Sequence, residues 1–162
     1  MGDYATYRAV RAEMLAAALG AEEPGAALGM LASGDRAEGL LLDLTNAYEA
    51  LVYVLAGPDG DREDFDDPLV AAVLGHDEVA YDSPTVNDVQ WTAQIERALS
   101  GFDRTLIADR FDPEEMDDDG VEPGGFAADP GWLDTVQESF DQLQSFYRSA
   151  ADNGMAVLVV IG

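Results

Sequence analysis

Hydrophobic residues near the end of the chain recur at helical spacing. Between Asp129 and Gly154, apolar positions lie three or four residues apart and would share one helical face. These positions are Leu133, Val136, Phe140, Leu143, Tyr147 and Ala150. Asp129 suits the N-cap, Pro130 the first helical position, and Gly154 the left-handed residue that ends a helix. The β-branched run that follows, Met155 to Ile161, predicts a buried strand.

Four shorter segments show an apolar stripe bounded by a capping residue or a glycine, and we predict a helix in each. They are residues 44–58, 67–75, 83–101 and 103–111. Leu44 and Val86 lie on the apolar faces of the first and third predicted helices. Asp67 before Pro68 is the clearest capping signal. Residues 57–68 are acidic and rich in glycine, which predicts an exposed loop.

The N-terminal pattern is compatible with two structures. Residues 6–20 contain enough alanine and leucine to form one helix throughout. Tyr4, Tyr7 and Val10 are better strand formers, so a short strand followed by a helix from about Arg11 fits equally well.

Residues 115–126 resemble the start of a calcium-binding loop. With Gly120 at the sixth position, the ligands would be Glu115, Asp117 and Asp119. The twelfth position, which needs a bidentate glutamate, is Phe126, so the ligand set is incomplete. Asp112, Pro113 and Glu115 match the start of a helix instead. We therefore predict a helix here and no metal site.

Composition narrows the possible functions. The chain has 162 residues and no cysteine, which predicts a single domain spanning residues 1–162 and a cytoplasmic protein without disulfides or thiolate metal sites. Its longest apolar run is too short to span a bilayer. The net charge is −25, and all eight basic residues are arginine. Such a charge disfavours nucleic acid and anionic membranes as partners, and it predicts high solubility, a basic protein partner or mimicry of nucleic acid.

Catalytic motifs are sparse. His76 is the only histidine, so the chain has too few nitrogen and sulfur ligands for a typical zinc site, and any Ser-His-Asp triad would have to use this residue. His76 follows a predicted helix end, where a surface or capping role is common. The chain lacks G-x-S-x-G, P-loop and dinucleotide-binding motifs. An enzyme would have to use paired carboxylates. We predict no cofactor.

Several segments together resemble the YfbM-like family of small bacterial proteins, a domain of unknown function. They are "LDLTNAYEALVYVLAG", "DPLVAAVLG", "FDRTLIADRFDPEEM" and "LQSFYRSAADNGMAVLVVI". The resemblance implies an α+β fold: a mainly helical body with a small sheet that includes the N- and C-terminal strands. It favours a strand at Asp3 to Ala9 over the continuous helix.

The resemblance also marks two surface segments. Family members carry G-Y-G-P-A-R where this chain reads "VAYDSPTVND", which keeps Tyr81 and Pro84, and an aromatic proline pair where this chain has "VEP". Together with His76 at its predicted helix end, these segments give the surface candidates for binding: His76, Tyr81, Glu122 and Phe126.

The functional hypothesis is a non-catalytic binding or regulatory module that neutralises a basic partner. The alternative is a carboxylate-dependent hydrolase acting on a small molecule in a pocket with two acids and Tyr81 or His76.

Overall fold

A computed structural model describes residues 4–34 and 40–162. Within these ranges the chain forms five strands and eight helices, which confirms the predicted α+β fold with a mainly helical body. The strands are β1 (Ala5–Val10), β2 (Leu41–Thr45), β3 (Asp77–Glu78), β4 (Thr85–Asn87) and β5 (Ala156–Ile161). The helices are α1 (Ala12–Leu19), α2 (Pro24–Ala32), α3 (Tyr48–Ala56), α4 (Pro68–Leu74), α5 (Val89–Gly101), α6 (Thr105–Arg110), α7 (Pro113–Asp118) and α8 (Trp132–Asp152).

The strands form one antiparallel sheet in the order β2-β1-β5-β4-β3. β1 and β5 pair along their whole length, from Ala5 opposite Ile161 to Val10 opposite Ala156. The sheet therefore includes the first and last strands, as predicted, and the structure shows that these two strands lie side by side.

The two central strands, β1 and β5, are covered on both faces over most of their length. Tyr7, Val157 and Val159 point into the larger core, which contains the buried faces of α3, α4, α5 and α8. Val10 and Leu158 point the other way and pack with residues of α1 and α2. A strand covered on both faces needs apolar side chains at successive positions, which explains the uninterrupted apolar run in β5.

Several predicted boundaries need correction. Leu44 belongs to β2 and Val86 to β4, so the first and third predicted helices begin later, at Tyr48 and Val89. Short apolar runs fit both periods, and here sheet pairing decides the outcome. The favoured N-terminal strand is confirmed, because β1 precedes α1 and excludes the continuous helix; Asp3, where the predicted strand begins, lies outside the described residues.

Other capping predictions hold in part. The Asp67 carboxylate accepts a hydrogen bond from the Leu69 amide at 2.9 Å and caps α4. Gly154 has the predicted left-handed conformation, with φ of 62°. Asp129 does not cap α8, which begins at Trp132; its carboxylate accepts a bond from the Gly131 amide in the preceding turn.

Buried side chains supply donors to the last four carbonyl groups of α4. The last carbonyls of a helix have no next turn to pair with, and a buried carbonyl without a partner is costly; here only the Ala71 carbonyl also accepts from a main-chain amide, that of Gly75 at 2.9 Å. The bonds are Asn87 Nδ2 to Ala71 (2.9 Å), Tyr147 Oη to Ala72 (2.7 Å), Tyr7 Oη to Val73 (2.7 Å) and Thr85 Oγ1 to Leu74 (2.7 Å). This cluster, the α4 cap, ties α4 to β1, β4 and α8.

Candidate functional site

Two acidic segments stand out on the surface. The acidic loop, residues 57–67, contains six carboxylates, and residues 112–122, which include α7, contain seven. Together they hold thirteen of the 33 acidic side chains in the chain. The two segments are far apart in sequence, but both reach one concave surface: the acidic loop contributes two carboxylates to it, and residues 112–122 contribute Gly120 alone.

That concave surface, the acidic cleft, has a volume of about 590 Å³. Its walls combine apolar side chains with carboxylates and come from α3, the acidic loop, the end of α4, the turn after α7 and the end of β5. The lining side chains that matter here are Tyr48, Glu49, Val52, Asp61, Glu63 and Ile161. A volume of this size lies within the range of ordinary ligand sites.

The carboxylates of the cleft have few positive neighbours. Arg62 is the one basic residue among its lining residues, and its guanidinium lies 5.6 Å from the centre of the Tyr53 ring. Within residues 4–34 and 40–162, neither Asp61 nor Glu63 forms an ion pair. The cleft therefore presents negative charge to solvent.

Two of these carboxylates also bind nearby backbone. Glu49 Oε2 accepts a hydrogen bond of 2.9 Å from the Glu122 amide, which holds the segment after α7 against α3. Asp61 Oδ1 accepts one of 2.8 Å from the Glu63 amide within the acidic loop. The first bond joins two distant segments and the second lies within the acidic loop, and a neutral amide side chain could accept either bond.

The neighbouring Tyr53 ring reports the same negative environment. Burial raises the pKa of the Tyr53 phenol, and the charges of Glu115, Asp119 and Asp112 raise it further, while Arg62 opposes them. Three carboxylates of residues 112–122 thus act on a side chain that Arg62 of the acidic loop contacts. This places the two acidic segments in one electrostatic environment.

The stretch that resembles a calcium loop folds as a helix followed by a braced turn. The Asp112 carboxylate accepts from the Glu115 amide at 3.1 Å, as predicted for a helix cap. Asp117 accepts from the amides of Phe126 and Ala127, both at 3.0 Å, and these bonds lower its pKa. In the described part of the chain, no group of three or more histidine or acidic side chains has an arrangement that could hold a metal ion.

His76 lies in a partly buried aromatic contact. Its ring stacks on Trp91 with centroids 3.9 Å apart, and Nε2 is 3.1 Å from Asp66 Oδ1. Nδ1 is 2.9 Å from Asp77 Oδ1, a distance suited to an ion pair, but Nδ1 has no hydrogen-bond partner of suitable geometry. His76 thus joins the acidic loop to β3 and α5 and does not line the acidic cleft.

The other three candidates occupy different environments. Tyr81 is 89% exposed in the turn between β3 and β4, and Glu122 is partly buried beside Glu49. Phe126 is only 1% exposed and packs edge-on against Trp132, with centroids 4.9 Å apart. The prediction of Phe126 as a surface residue is wrong: Asp117 holds its amide, and the loop turns the ring into the core.

The four candidates do not converge on one site. None of them lines the acidic cleft, whose carboxylates come from positions that the sequence marks only as helix interior or exposed acidic loop. The one feature of the sequence that pointed to the cleft carboxylates was the acid-rich composition of residues 57–68. Nothing in the sequence indicated that residues 112–122 would lie next to that loop.

Comparison with known proteins identifies the family. A family model described as a domain of unknown function, DUF1877, matches residues 1–160, so the chain belongs to this family. The solved structure of YfbM from Escherichia coli, a protein of unknown function, is similar with a TM-score of 0.75 and 20% sequence identity. The alignment covers 98% of this chain and 99% of that one, and at this identity it shows a shared fold. No curated protein matches the chain.

Proposed function

We propose that this member of the DUF1877 family is a small cytoplasmic bacterial protein that binds a basic protein partner without catalysing a reaction. The partner would be held and neutralised at the acidic cleft. The observation that carries the proposal is the position of Glu49, Asp61 and Glu63 around a partly apolar hollow.

The charge of the whole chain supports this proposal. A net charge of −25 on 162 residues creates a negative field that accelerates encounter with positively charged surfaces. The same field opposes nucleic acid and anionic membranes as partners. No helix among residues 4–34 and 40–162 is long and apolar enough to cross a membrane.

The expected contribution of the cleft is moderate and measurable. An exposed ion pair contributes roughly 0.2–1 kcal/mol, and pairs become stronger where an apolar wall excludes water. Neutralising three carboxylates should therefore weaken partner binding by about 1.4–2.8 kcal/mol, which corresponds to about 10- to 100-fold.

Affinity capture from an extract of the source organism tests the proposal with two matched variants. The cleft variant carries Glu49→Gln, Asp61→Asn and Glu63→Gln, whose amide oxygens can still accept the backbone bonds described above. The control variant carries Glu22→Gln, Glu23→Gln and Glu138→Gln, three exposed positions that do not line the cleft. Both variants lose three negative charges.

We expect the wild type and the control variant to enrich the same basic protein at low salt, and the cleft variant to lose it. High salt should release the protein from both. Failure of the wild type to enrich any protein reproducibly would count heavily against a binding role, and equal loss in both variants would refute the cleft as the binding site.

The alternative, a carboxylate-dependent hydrolase, is favoured by one observation: three acidic side chains line the same hollow. Tyr81 and His76, which that mechanism would also use, lie outside it. A hydrolysis screen in which wild-type activity disappears with Glu49→Gln or Asp61→Asn would favour the enzyme over the binding module.

A further inference from the structure

We propose that His76 is a pH-sensitive switch that holds the acidic loop against the helical body when its imidazole is protonated. This inference goes beyond the proposed function, because it concerns the position of the loop whether or not a partner binds. Asp61 and Glu63 of the acidic loop line the acidic cleft, so the switch acts on the position of two cleft carboxylates.

The His76 ring lies between two carboxylates. Nε2 is 3.1 Å from Asp66 Oδ1 in the acidic loop, and Nδ1 is 2.9 Å from Asp77 Oδ1 in β3. A neutral imidazole carries a proton on only one of its two nitrogens, so one of the two carboxylates always faces a lone pair at close range. In the imidazolium both nitrogens carry a proton and the ring is positive, so both contacts become attractive.

Uncharged contacts hold the His76 ring in place on the helical body. Its face stacks on the Trp91 ring of α5, with centroids 3.9 Å apart, and its side chain is only 19% exposed. The His76 amide donates a hydrogen bond of 2.9 Å to Oδ1 of Asn87, which is buried in β4. The imidazole is therefore a fixed point to which the carboxylate of the acidic loop binds.

The charged groups next to His76 are carboxylates. Among the residues that the structure describes, Asp66 and Asp77 form ion pairs with His76 alone. Neither α4 nor β4 contains a titratable residue. β3 adds Glu78, and the N-cap of α5 adds Asp88, which accepts a hydrogen bond from an amide of its own helix. Protonation of the imidazole therefore adds a positive charge to a junction of carboxylates.

Hydrogen bonds within the acidic loop connect Asp66 to the residues that line the cleft. The Asp66 amide donates to Asp64 Oδ1 at 3.1 Å, and the Asp64 amide donates to the Asp61 carbonyl at 3.2 Å. The Glu63 amide donates to Asp61 Oδ1 at 2.8 Å. Since these bonds join the segment into one series of turns, release of Asp66 from the imidazole also loosens the wall that carries Asp61 and Glu63.

Hydrogen exchange of the full chain tests the switch. Imidazole changes charge between about pH 5 and 8, so amide exchange of the acidic loop is measured near both limits. Asp66→Asn removes the loop carboxylate from a side chain that is 87% exposed, so packing is preserved. We expect the loop amides of this variant to exchange about three- to tenfold faster than those of the wild type at about pH 5.5, and within about twofold at about pH 8. Comparison at equal pH cancels the pH dependence of the exchange reaction itself.

Asp64→Asn is the matched control, because it removes one charge from the same loop and its amide oxygen can still accept the bond from the Asp66 amide. Its exchange rate relative to the wild type should be the same at both pH values. In a chain that carries His76→Gln, the effect of Asp66→Asn should also be the same at both. An effect of Asp66→Asn that does not change with pH, or a change that persists with His76→Gln, would overturn the switch.

Nuclear magnetic resonance decides the question even if His76→Gln fails to fold. His76 is the only histidine in the chain, so its ring signals report one imidazole. The effect of Asp66→Asn on loop exchange should appear over the same pH range in which these signals shift, and an effect that appears at a different pH would overturn the switch. None of these measurements uses a partner, so failure of affinity capture refutes the proposed function and leaves the switch unaffected.

Discussion

Tyr147→Phe removes one hydroxyl from the α4 cap and leaves the ring in place. That hydroxyl donates to the Ala72 carbonyl at 2.7 Å and accepts from Asn87 Nδ2 at 3.0 Å. Burial strongly raises the pKa of the Tyr147 phenol, while the bond from Asn87 lowers it, so the group remains a protonated donor at any physiological pH. The substitution therefore leaves a buried carbonyl without that donor and an amide N–H without that acceptor.

The cost follows from these two losses. Each buried polar group left unsatisfied costs about 1–3 kcal/mol, and partial relaxation reduces the total, so we expect a loss of about 3 kcal/mol. Against a total stability of roughly 5–15 kcal/mol this is a large share. For a chain of this length, it corresponds to a fall in Tm of roughly 6–12 °C.

Tyr81→Phe is the matched control, since it removes the same hydroxyl from an 89% exposed side chain. Urea unfolding followed by tryptophan fluorescence should show a lower midpoint for Tyr147→Phe at an unchanged m value, and a change within about 0.5 kcal/mol for Tyr81→Phe. A double-mutant cycle with Asn87→Ala should show a coupling of about 1 kcal/mol. Equal stability of the two tyrosine variants would refute the role of the α4 cap.

Three further predictions concern single side chains. Because backbone hydrogen bonds lower the pKa of Asp117, its ionised form stabilises the fold above its unfolded-state pKa, and this contribution disappears as pH falls through the folded-state pKa; Asp117→Asn should therefore be destabilising at neutral pH and nearly neutral in strong acid, and a pH-independent difference in urea midpoints would contradict this. Thr45 has φ of 50°, which is unfavourable for a β-branched residue, so Thr45→Asn should raise stability by about 1 kcal/mol in calorimetry, and any loss would argue against strain there. Phe126→Ala should cost about 3–5 kcal/mol because the ring is buried, and an effect below 0.5 kcal/mol in denaturant titration would restore Phe126 as a surface residue.

Local sequence signals predicted those parts of the fold that local physics determines. The cap of α4 by Asp67, the start of α7 at Asp112 and the left-handed Gly154 all depend on residues within a few positions of each other. The β5 strand was predictable because its short apolar run is rich in β-branched residues, which favour a strand where periodicity alone does not decide. Family resemblance placed β1, which propensity alone left undecided.

The site depended on contacts between distant segments, and these were not predictable. Glu49 lies next to Glu122, and the acidic loop faces the turn at Gly120, although each pair is separated by tens of residues. Phe126 was misplaced for a related reason, since its burial follows from the two bonds that Asp117 makes to the loop. No periodic pattern in "VEPGGF" carries that information.

The most direct test of the proposed function is the affinity of the purified captured partner for the wild type, the cleft variant and the control variant, measured by calorimetry at two salt concentrations. We expect the cleft variant to bind about 10- to 100-fold more weakly at low salt, the control variant to bind like the wild type, and the difference between the two variants to shrink at high salt. Equal weakening of both variants would contradict the proposal, because binding would then depend on total charge and not on the acidic cleft.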